Sequence, residues 1–514
     1  MKKVKFLTLI TVLTLMLAFV AACGNGGGDA GTGDGATQDP VVDTTQDDTP
    51  ADDAAGNGED AGDEVAPDLA ALPPLTTDPV NLTFSTWHYF ELAQYIGERF
   101  TDRHPNVTIE IVEIPGTAYY MDTLISMAAA GNLPDMFGFL SLAVPINNGW
   151  FYDFSDFWFN DPDSSMLLES LHHTVVIDGR AMRFPEAVLP QLVYLDRSVF
   201  TLLNEEMPPF DWVWEDMIDL IPRMTRPDMG IFGFNQFLGM VTWAPVVLND
   251  AISEFGWDGQ NFNMYEWARY MNYEAEFERL GYRALSGNDE WEALTGYRYM
   301  WPGVSGRVAM QMDAIWTFNN IYIRPYYRER GIDMVPYAIP MGANAQTNRR
   351  PAFVDFAGIS AATSHPREAY EALKWMTFHT DAWGYRNIVT PQLENAAGNR
   401  IFYTPNRFPL TNDEQVWADF RTLFPMDEPA WDHLLAVSRE PVPLGGQGIL
   451  GFAEWHFNEH AYGDWNGVIG IGNAIREGVL NAFDAVQRME ETGRQFHEQA
   501  IDNFRLMYGP PPER

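Results

Sequence analysis

Alternating strand and helix patterns begin at residue 80 and restrict the fold of this chain more than any other feature. Val80, Leu82 and Phe84 alternate with polar neighbours, which predicts a strand. The same reasoning predicts, in order, a helix over about 91–103, a strand over 107–114, a helix around 121–128 and a strand over 135–139. Strands joined by helices at this spacing need right-handed crossovers, so we expect an α/β fold with a parallel sheet.

The carboxyl ends of these strands are where a ligand is expected, because ligands of open α/β sheets bind beyond those ends. Trp87 and His88 directly follow the first strand and are candidate contacts. A turn with satisfied hydrogen bonds is the alternative for both. Asp135 begins the third strand after Pro134, and capping is the alternative to ligand contact there.

The size of the chain predicts two lobes. Residues 79–514 comprise about 436 residues, and 46% of the whole chain is hydrophobic. That exceeds what one hydrophobic core usually holds.

The N-terminus has the order of a secretory signal peptide. Lys2, Lys3 and Lys5 precede an apolar run at 6–22, and small residues stand before Cys23. A transmembrane anchor is the alternative, but the run is at the short limit for a membrane span and contains threonines. The stretch VAAC resembles a bacterial lipobox, which implies cleavage after residue 22 and a lipid on Cys23, the only cysteine of the chain. The thiol is then expected to anchor the protein to the membrane.

Residues 24–78 have the composition of a disordered acidic tether. They contain 14 acidic residues and no aromatic, lysine or arginine residue. A flexible chain of about 55 residues has a root-mean-square reach of roughly 40 Å. We therefore expect the folded part to stand clear of the lipid surface.

The net charge excludes several classes of partner. Residues 79–514 carry 57 acidic and 29 basic side chains, a net charge of −28. Nucleic acid is therefore not an expected partner. Lys374 is the only lysine after the signal peptide, so a polybasic membrane patch is also excluded.

Two short motifs suggest other chemistry and lack the right context. HFNEH at 456–460 fits an inverted zinc-peptidase signature, but the preceding stretch is glycine-rich and no third metal ligand is apparent. GQGILG at 446–451 fits a dinucleotide-binding pattern, yet prolines precede it where a strand is required. We expect no cofactor, no metal and no catalytic residue.

Longer stretches resemble a known family. These stretches, spread in order over about residues 80–380, include LTFSTWHYF, ERFTDRHPNVTIEIVEIPG, MAAAGNLPDMFGF, NNGWFYDFSDF, DGRAMRFPEA, WVWEDMIDLI, GRVAMQMDAIWTF and DFAGISAATSHPREAYEALKWMTF. They resemble the extracellular solute-binding proteins of bacterial ABC importers, in the sugar-type branch called family 1. Two features depart from the family pattern: AMRFPEA lacks the usual small residues, and 230–300 looks like an aromatic-rich insertion.

The resemblance implies a two-lobed, periplasmic-binding-protein-like fold of type II, with a hinge and a solute cleft between the lobes. The implied first lobe is 79–190 with about 350–415, and the second is about 191–349 with 416–514. The chain would cross between lobes near 185–194, near 340–353 and after about 400. The implied function is capture of a carbohydrate, expected to be an oligosaccharide, by a monomer that delivers it to an ABC permease on the extracytoplasmic face of the membrane.

A pyranose needs flat aromatic platforms for its C–H faces and charged or amide groups for its hydroxyls. Trp316 in DAIWTF matches a family position where an aromatic residue often stacks on the sugar, and core packing is its alternative. Trp243 and Asp355 are further candidates, with structural roles as alternatives.

Other function classes remain open at this stage. A membrane-anchored glycan hydrolase would also use aromatic residues and carboxylates. A non-sugar solute such as a peptide or polyol fits the same architecture. A scaffold or adhesin would be expected to contain repeats, and none is seen.

Overall fold

The computed structural model describes residues 71–87, 89–114, 117–235, 241–284, 286–317, 329–394, 398, 405–424, 428–458 and 470–512. The predicted signal peptide, Cys23, most of the predicted tether and His88 lie outside these residues.

The predicted alternation is present at the start of the folded part. It consists of β1 (Val80–Thr86), α1 (Phe90–Arg103), β2 (Val107–Glu113), α2 (Thr117–Ala129) and β3 (Met136–Phe139). β1 lies between β2 and β3 and is parallel to both. α1 packs the apolar face that its sequence predicts, with Ile96 and Phe100 fully buried. The predicted α/β class and the parallel sheet are confirmed.

The other elements complete a mixed structure. The helices are α3 (Ala143–Asn147), α4 (Ser155–Trp158), α5 (His172–Val175), α6 (Arg197–Leu203), α7 (Trp214–Met224), α8 (Ala244–Asn249), α9 (Tyr265–Arg279), α10 (Asp289–Thr295), α11 (Pro366–Thr377), α12 (Thr380–Val389), α13 (Glu414–Arg421), α14 (Glu428–Val437), α15 (Gly445–Gly448), α16 (Phe452–Asn458), α17 (Ile471–Arg476) and α18 (Ala482–Tyr508). The strands are β4 (Val176–Ile177), β5 (Arg180–Ala181), β6 (Arg183–Asp196), β7 (Phe232–Phe234), β8 (Val308–Ala314), β9 (Met334–Ala338), β10 (Arg350–Ile359) and β11 (Pro441–Val442).

β6 carries the chain from one half of the main sheet to the other. The sheet has the order β2-β1-β3-β10-β6-β8-β7. Residues 183–190 of β6 pair antiparallel with β10, while residues 191–196 lie between β8 and β9. All 14 residues of β6 are buried. This strand occupies the first crossover that the sequence placed near 185–194.

The buried apolar side chains form two large cores. The first contains β1, β3 and α11, with Phe84, Phe356 and Tyr370 among its buried members. The second contains α7, α9 and the start of α18, with Trp214 and Trp267 at its centre. The two-lobed arrangement is confirmed by these cores.

The segment that follows residue 414 contributes to both cores. Residues of α13 and α14 pack in the first core, where Phe420 contacts Phe408 at 5.4 Å between ring centroids and Trp431 stacks on Phe424 at 4.0 Å. These aromatic contacts pack several side chains of 414–435 in the first core, and the prediction that residues from 416 onward belong to the second lobe stays a prediction. Ala430 of α14 and Val442 belong to the second core.

The last helix contacts both lobes. Met489 of α18 belongs to the second core and Phe504 to the first. Near its end, Arg505 forms two hydrogen bonds to the carboxylate of Asp178 at 2.7 and 2.8 Å. α18 therefore connects the second lobe back to the first.

The final residues of the predicted tether contact the first lobe. Leu72 packs against the first core, and Arg367 donates from Nε to the carbonyl oxygen of Pro73 at 2.8 Å. The backbone N–H of Thr76 donates to Glu368 at 2.8 Å. Packing thus begins before residue 79, because an apolar side chain and backbone groups meet partners on α11.

Within the described residues, no helix has the length and apolar character needed to cross a bilayer.

Candidate functional site

The carboxyl end of β1 places Trp87 beside the middle of β3 and the start of β6. The indole of Trp87 meets the ring of Tyr120 edge to face, with 4.9 Å between ring centroids. A Cβ atom on Gly138 would lie 2.8 Å from the Trp87 ring and 2.9 Å from Oε2 of Glu186. Only glycine leaves enough space at residue 138 for both side chains to approach the strand.

Glu186 is a buried carboxylate next to this indole. It is 5% exposed and accepts a hydrogen bond from Oγ1 of Thr86 at 2.6 Å. Burial lowers the pKa of the Arg407 guanidinium, while Glu186, Tyr89 and Asp355 act in the opposite direction through their charges. Arg407 therefore lies within the electrostatic reach of both carboxylates, and its charge compensates theirs.

Tyr89 belongs to the same cluster of polar side chains as Glu186 and Arg407. Its hydroxyl oxygen accepts a hydrogen bond from Nδ2 of Asn406 at 2.8 Å. Burial raises the pKa of the Tyr89 phenol, and the charge of Arg407 opposes that shift. A neutral phenol beside a guanidinium is a hydrogen-bonding group suited to polar ligands.

Asp355 links this cluster of polar side chains to β10 and, through Gln447, to β6. It lies on β10, is 7% exposed and accepts a hydrogen bond from Nε2 of Gln447 at 3.2 Å. The backbone oxygen of Gln447 accepts a second bond from Nη1 of Arg183 on β6. The short helix α15 therefore contacts both crossing strands.

Trp316 lies shortly after β8, and its neighbour Ile315 belongs to the first core. It is 37% exposed, which is high for a tryptophan. Its ring packs against Phe353 of β10, with 4.9 Å between centroids and an interplanar angle of 47°. An exposed indole supported from one side by a second aromatic ring is a platform on which a flat apolar surface can stack.

Two predicted contact residues have structural roles instead. Trp243 is 1% exposed inside the second core and offers a ligand almost no surface, so the alternative of core packing applies. Asp135 lies at the amino end of β3, and its carboxylate accepts bonds from Thr83 N and Oγ1 at 2.9 and 2.8 Å and from Thr363 Oγ1 at 2.7 Å. These three bonds connect strands and a turn within the first lobe, which is the capping alternative.

The structure therefore brings together Trp87 and Asp355 around the crossing strands, with Trp316 adjoining Phe353 of β10. His88 lies outside the described residues. Sequence reasoning missed Glu186, Arg407 and Gln447. The sequence does contain one signal for Glu186, because it belongs to the stretch AMRFPEA that departs from the family pattern.

A separate cavity of about 660 Å³ lies between the lobes on the side of α18. Its lining includes Arg183, Trp257 and His497 and none of the six predicted contact residues.

The two rival motifs do not form the sites their patterns suggest. His456 lies in the last turn of α16 with its ring stacked on Phe452, 5.1 Å between centroids, while Glu459 and His460 lie outside the described residues. No group of three or more potential metal ligands occurs in the described part of the chain. Within GQGILG, Gln447 is a buried side chain of α15, and the preceding strand β11 has only two residues.

Comparison with known proteins identifies related folds. Residues 90–382 match the family model of the bacterial extracellular solute-binding proteins. An ABC substrate-binding protein from Listeria monocytogenes in complex with cycloalternan is 15% identical with a TM-score of 0.56, and the match covers 81% of this chain and 99% of that one. A sugar transporter from Rhizobium etli in an open conformation is 13% identical with a TM-score of 0.58, covering 81% and 99% of the two chains.

A cyclo/maltodextrin-binding protein complexed with maltotetraose is 13% identical with a TM-score of 0.57, covering 82% of this chain and 98% of that one. No curated protein sequence matches the chain. Identities this low show a shared fold. The family model, in contrast, matches more than half of the chain, so the protein belongs to the bacterial extracellular solute-binding proteins.

Proposed function

We propose that this protein is the substrate-binding lipoprotein of an ABC importer and that it captures a carbohydrate, an oligosaccharide, between its two lobes for delivery to a membrane permease. The observation that carries the proposal is the exposed indole of Trp316 against Phe353, close to where the chain crosses between lobes. An aromatic platform beside buried charged groups matches the two surfaces of a pyranose.

The polar part of the proposed site consists of Glu186, Asp355 and Arg407, with Trp87 as a second aromatic wall. Charged groups form stronger hydrogen bonds to hydroxyls than neutral groups do. Their burial limits competition from water, and the charge of Arg407 is opposite to those of the two carboxylates. Sugar hydroxyls are neutral donors and acceptors, so they can bind to such a group without adding charge.

Binding is proposed to close the lobes. β6 and β10 connect the lobes, and a solute that contacts both lobes favours the closed arrangement by its extra contacts. The closed form would be the one that a permease recognises. The protein is proposed to act as a monomer on the extracytoplasmic face, held by a lipid on Cys23.

The proposal is tested by thermal shift with a panel of glycans that includes maltotetraose and cycloalternan, the ligands of two structural neighbours. Peptides and polyols in the same panel test the alternative solutes. A ligand at 100 times its dissociation constant stabilises the protein by about 2.7 kcal/mol. Stabilisation by peptides or polyols alone would contradict a carbohydrate role.

A hydrolase is distinguished from a binding protein by recovering the glycan after incubation. We expect mass spectrometry to return it intact at every time point. Shortened products that disappear in a Glu186→Gln or Asp355→Asn variant would identify an enzyme.

A further inference from the structure

Arg183 is a buried charge without a counterion. It begins β6 and is 2% exposed. Its Nε donates to the carbonyl oxygen of Thr174 at 2.8 Å, and its Nη1 donates to that of Gln447. Among the described residues, the partners of this guanidinium are those two carbonyl groups and the ring of Phe356, and none is a carboxylate. Burial lowers the pKa of Arg183 to about 9, and no charged side chain opposes that shift.

The Nη2 atom of Arg183 is the part of the guanidinium left for a ligand. No described residue accepts a hydrogen bond from it, and it is not among the polar atoms that the protein fully encloses. Phe356 covers one face of the guanidinium, with 4.1 Å from Cζ to the ring centroid. Arg183 also lines the cavity of about 660 Å³ beside α18, so Nη2 lies at the wall of that cavity. A buried cation without a counterion is costly, and an anion within its reach offsets that cost.

Four of the other charged side chains that line the cavity form two ion pairs. Asp178 accepts two bonds from Arg505 at 2.7 and 2.8 Å, and Arg494 pairs with Glu498 at 2.8 Å. The carboxylate of Asp502, also in the lining, is exposed on α18. Within the lining that the structure describes, the guanidinium at the start of β6 is therefore the buried charge that lacks an opposite partner.

Apolar side chains from both lobes form another part of the cavity wall. Trp257 and Ile449 belong to the second core, Leu450 belongs to the first, and Ile501 of α18 packs against the first. The volume lies within the roughly 300–1,000 Å³ of pockets that bind organic ligands. An anion with an apolar body therefore matches this wall better than a bare inorganic ion does.

We propose that this cavity is a second ligand site, which takes a small organic monocarboxylate whose carboxylate bonds Arg183 and whose apolar body lies against Trp257. A guanidinium and a carboxylate form charge-assisted hydrogen bonds, which are stronger than those between neutral groups. The like charge of Asp502 disfavours a dianion such as sulfate. None of the residues of the proposed glycan site lines this cavity, so the inference does not depend on the proposed function. The alternative is that Arg183 only connects α5 to α15 through its two carbonyl partners.

The test titrates the whole folded protein by calorimetry with benzoate, 3-phenylpropionate and octanoate, and with the primary amide of each acid. We expect at least one acid to bind and its amide to bind about tenfold or more weakly, because the amide has the same shape and no charge. Sulfate should bind more weakly than that acid. The inference is overturned if no acid binds at millimolar concentration, if each acid and its amide bind equally, or if sulfate binds more tightly than every acid.

Arg183→Met identifies the group that binds the carboxylate. Methionine keeps an apolar stem against Phe356 and removes the charge. We expect the variant to bind the acid about tenfold or more weakly and to lose the preference for acid over amide. Arg350→Met is the matched control, because Arg350 is a partly buried arginine that also donates to a carbonyl group, that of Ile339, and does not line this cavity. Wild-type acid binding in Arg183→Met, or an equal loss in Arg350→Met, contradicts the site.

Ile501→Trp tests the position of the ligand and decides the question if Arg183→Met does not fold. Ile501 lies on α18 and is half-buried in the cavity wall, so an indole there fills the space without changing Arg183. We expect the folded variant to lose binding of both the acid and its amide. Undiminished acid binding by folded Ile501→Trp would place the ligand elsewhere and overturn the inference.

Discussion

Trp316 and Trp243 differ in the property that separates a binding residue from a core residue. Trp316 is 37% exposed and Trp243 is 1% exposed. We expect Trp316→Ala to weaken glycan binding by about 2 kcal/mol or more, the magnitude of an aromatic anchor. Its effect on the free energy of unfolding should be smaller than the roughly 3–5 kcal/mol expected for Trp243→Ala, which removes a buried ring.

Calorimetric affinity and the unfolding midpoint without ligand must be measured on both variants. Unchanged affinity in a Trp316→Ala protein that unfolds as early as Trp243→Ala would assign Trp316 to the core. That result would remove the main support for the proposed site.

Glu274 gives the second lobe a pH-dependent stability. It is fully buried on α9, and burial raises its pKa to about 7 although Arg283 acts in the opposite direction. The folded protein binds the proton more tightly than the unfolded chain, so the free energy of unfolding falls as pH rises from about 4.5 to 7. Glu274→Gln should remove this fall and stabilise the protein above pH 7 by roughly 1–3 kcal/mol.

Denaturant unfolding at pH 5 and pH 8 measures that effect. Glu278→Gln is the matched control, because Glu278 also pairs with Arg283 but is one-third exposed. Equal pH dependence in wild type and Glu274→Gln would mean that another group titrates.

At the residue scale, the sequence predicted only part of the site. Trp87 could be predicted as a candidate because it directly follows β1, a strand that is recognisable from the alternation of apolar and polar residues within it. Glu186 and Arg407 interact across more than 200 residues, and such a pairing leaves no periodic signal. Trp243 was also a candidate contact, yet it is buried in the second core. A tryptophan in a core and one in a cleft cannot be distinguished from the sequence alone.

At the scale of secondary-structure elements, local periodicity predicted the type and bounds of the first strands and helices but not which distant strands pair. The elements from β1 to β3 lie within a few residues of their expected bounds. The pairing of β6 with β10 joins residues about 165 apart, and no pattern within either strand specifies that partner. The assignment of residues from 416 onward to the second lobe stays a prediction, because α14 contributes Trp431 to the first core and Ala430 to the second.

The segment at 71–78 provides a test at the element scale. Deleting residues 26–70 should leave the free energy of unfolding unchanged, because their composition supplies no apolar surface for a core. Deleting residues 26–76 should reduce it by about 1–3 kcal/mol, because it also removes the packing of Leu72 and the hydrogen bonds of Pro73 and Thr76. Equal stability of the two deletions in denaturant unfolding would show that these contacts contribute nothing.

For the whole molecule, the connections between lobes decide how a cleft can open and close. β6 contributes to both cores, and the chain passes from the second core at Ile339 to the first at Ala352, near the start of β10. α15 contacts both strands through Gln447, and α18 extends from the second core to the first. We expect these connections to restrict relative motion of the lobes to the proposed hinge. The proposed site adjoins that hinge, so a ligand there can contact both lobes at once.

We propose that the position of the whole molecule relative to the membrane depends on a lipid on Cys23. Each buried methylene of an acyl chain contributes about 0.8 kcal/mol, so a multiply acylated cysteine holds a folded domain at a bilayer without a spanning helix. Cys23→Ser should therefore move the protein from the membrane fraction to the soluble fraction of expressing cells. Glycan affinity and the unfolding midpoint should not change, because the residue is separated by about 50 positions from the first described contact at Leu72. Asn25→Ser, two residues away and outside the lipobox, is the matched control and should remain in the membrane fraction. Membrane retention of Cys23→Ser would refute a lipid on this residue as the sole anchor, and mass spectrometry of the wild-type N-terminal peptide would then show whether the signal sequence is cleaved at all.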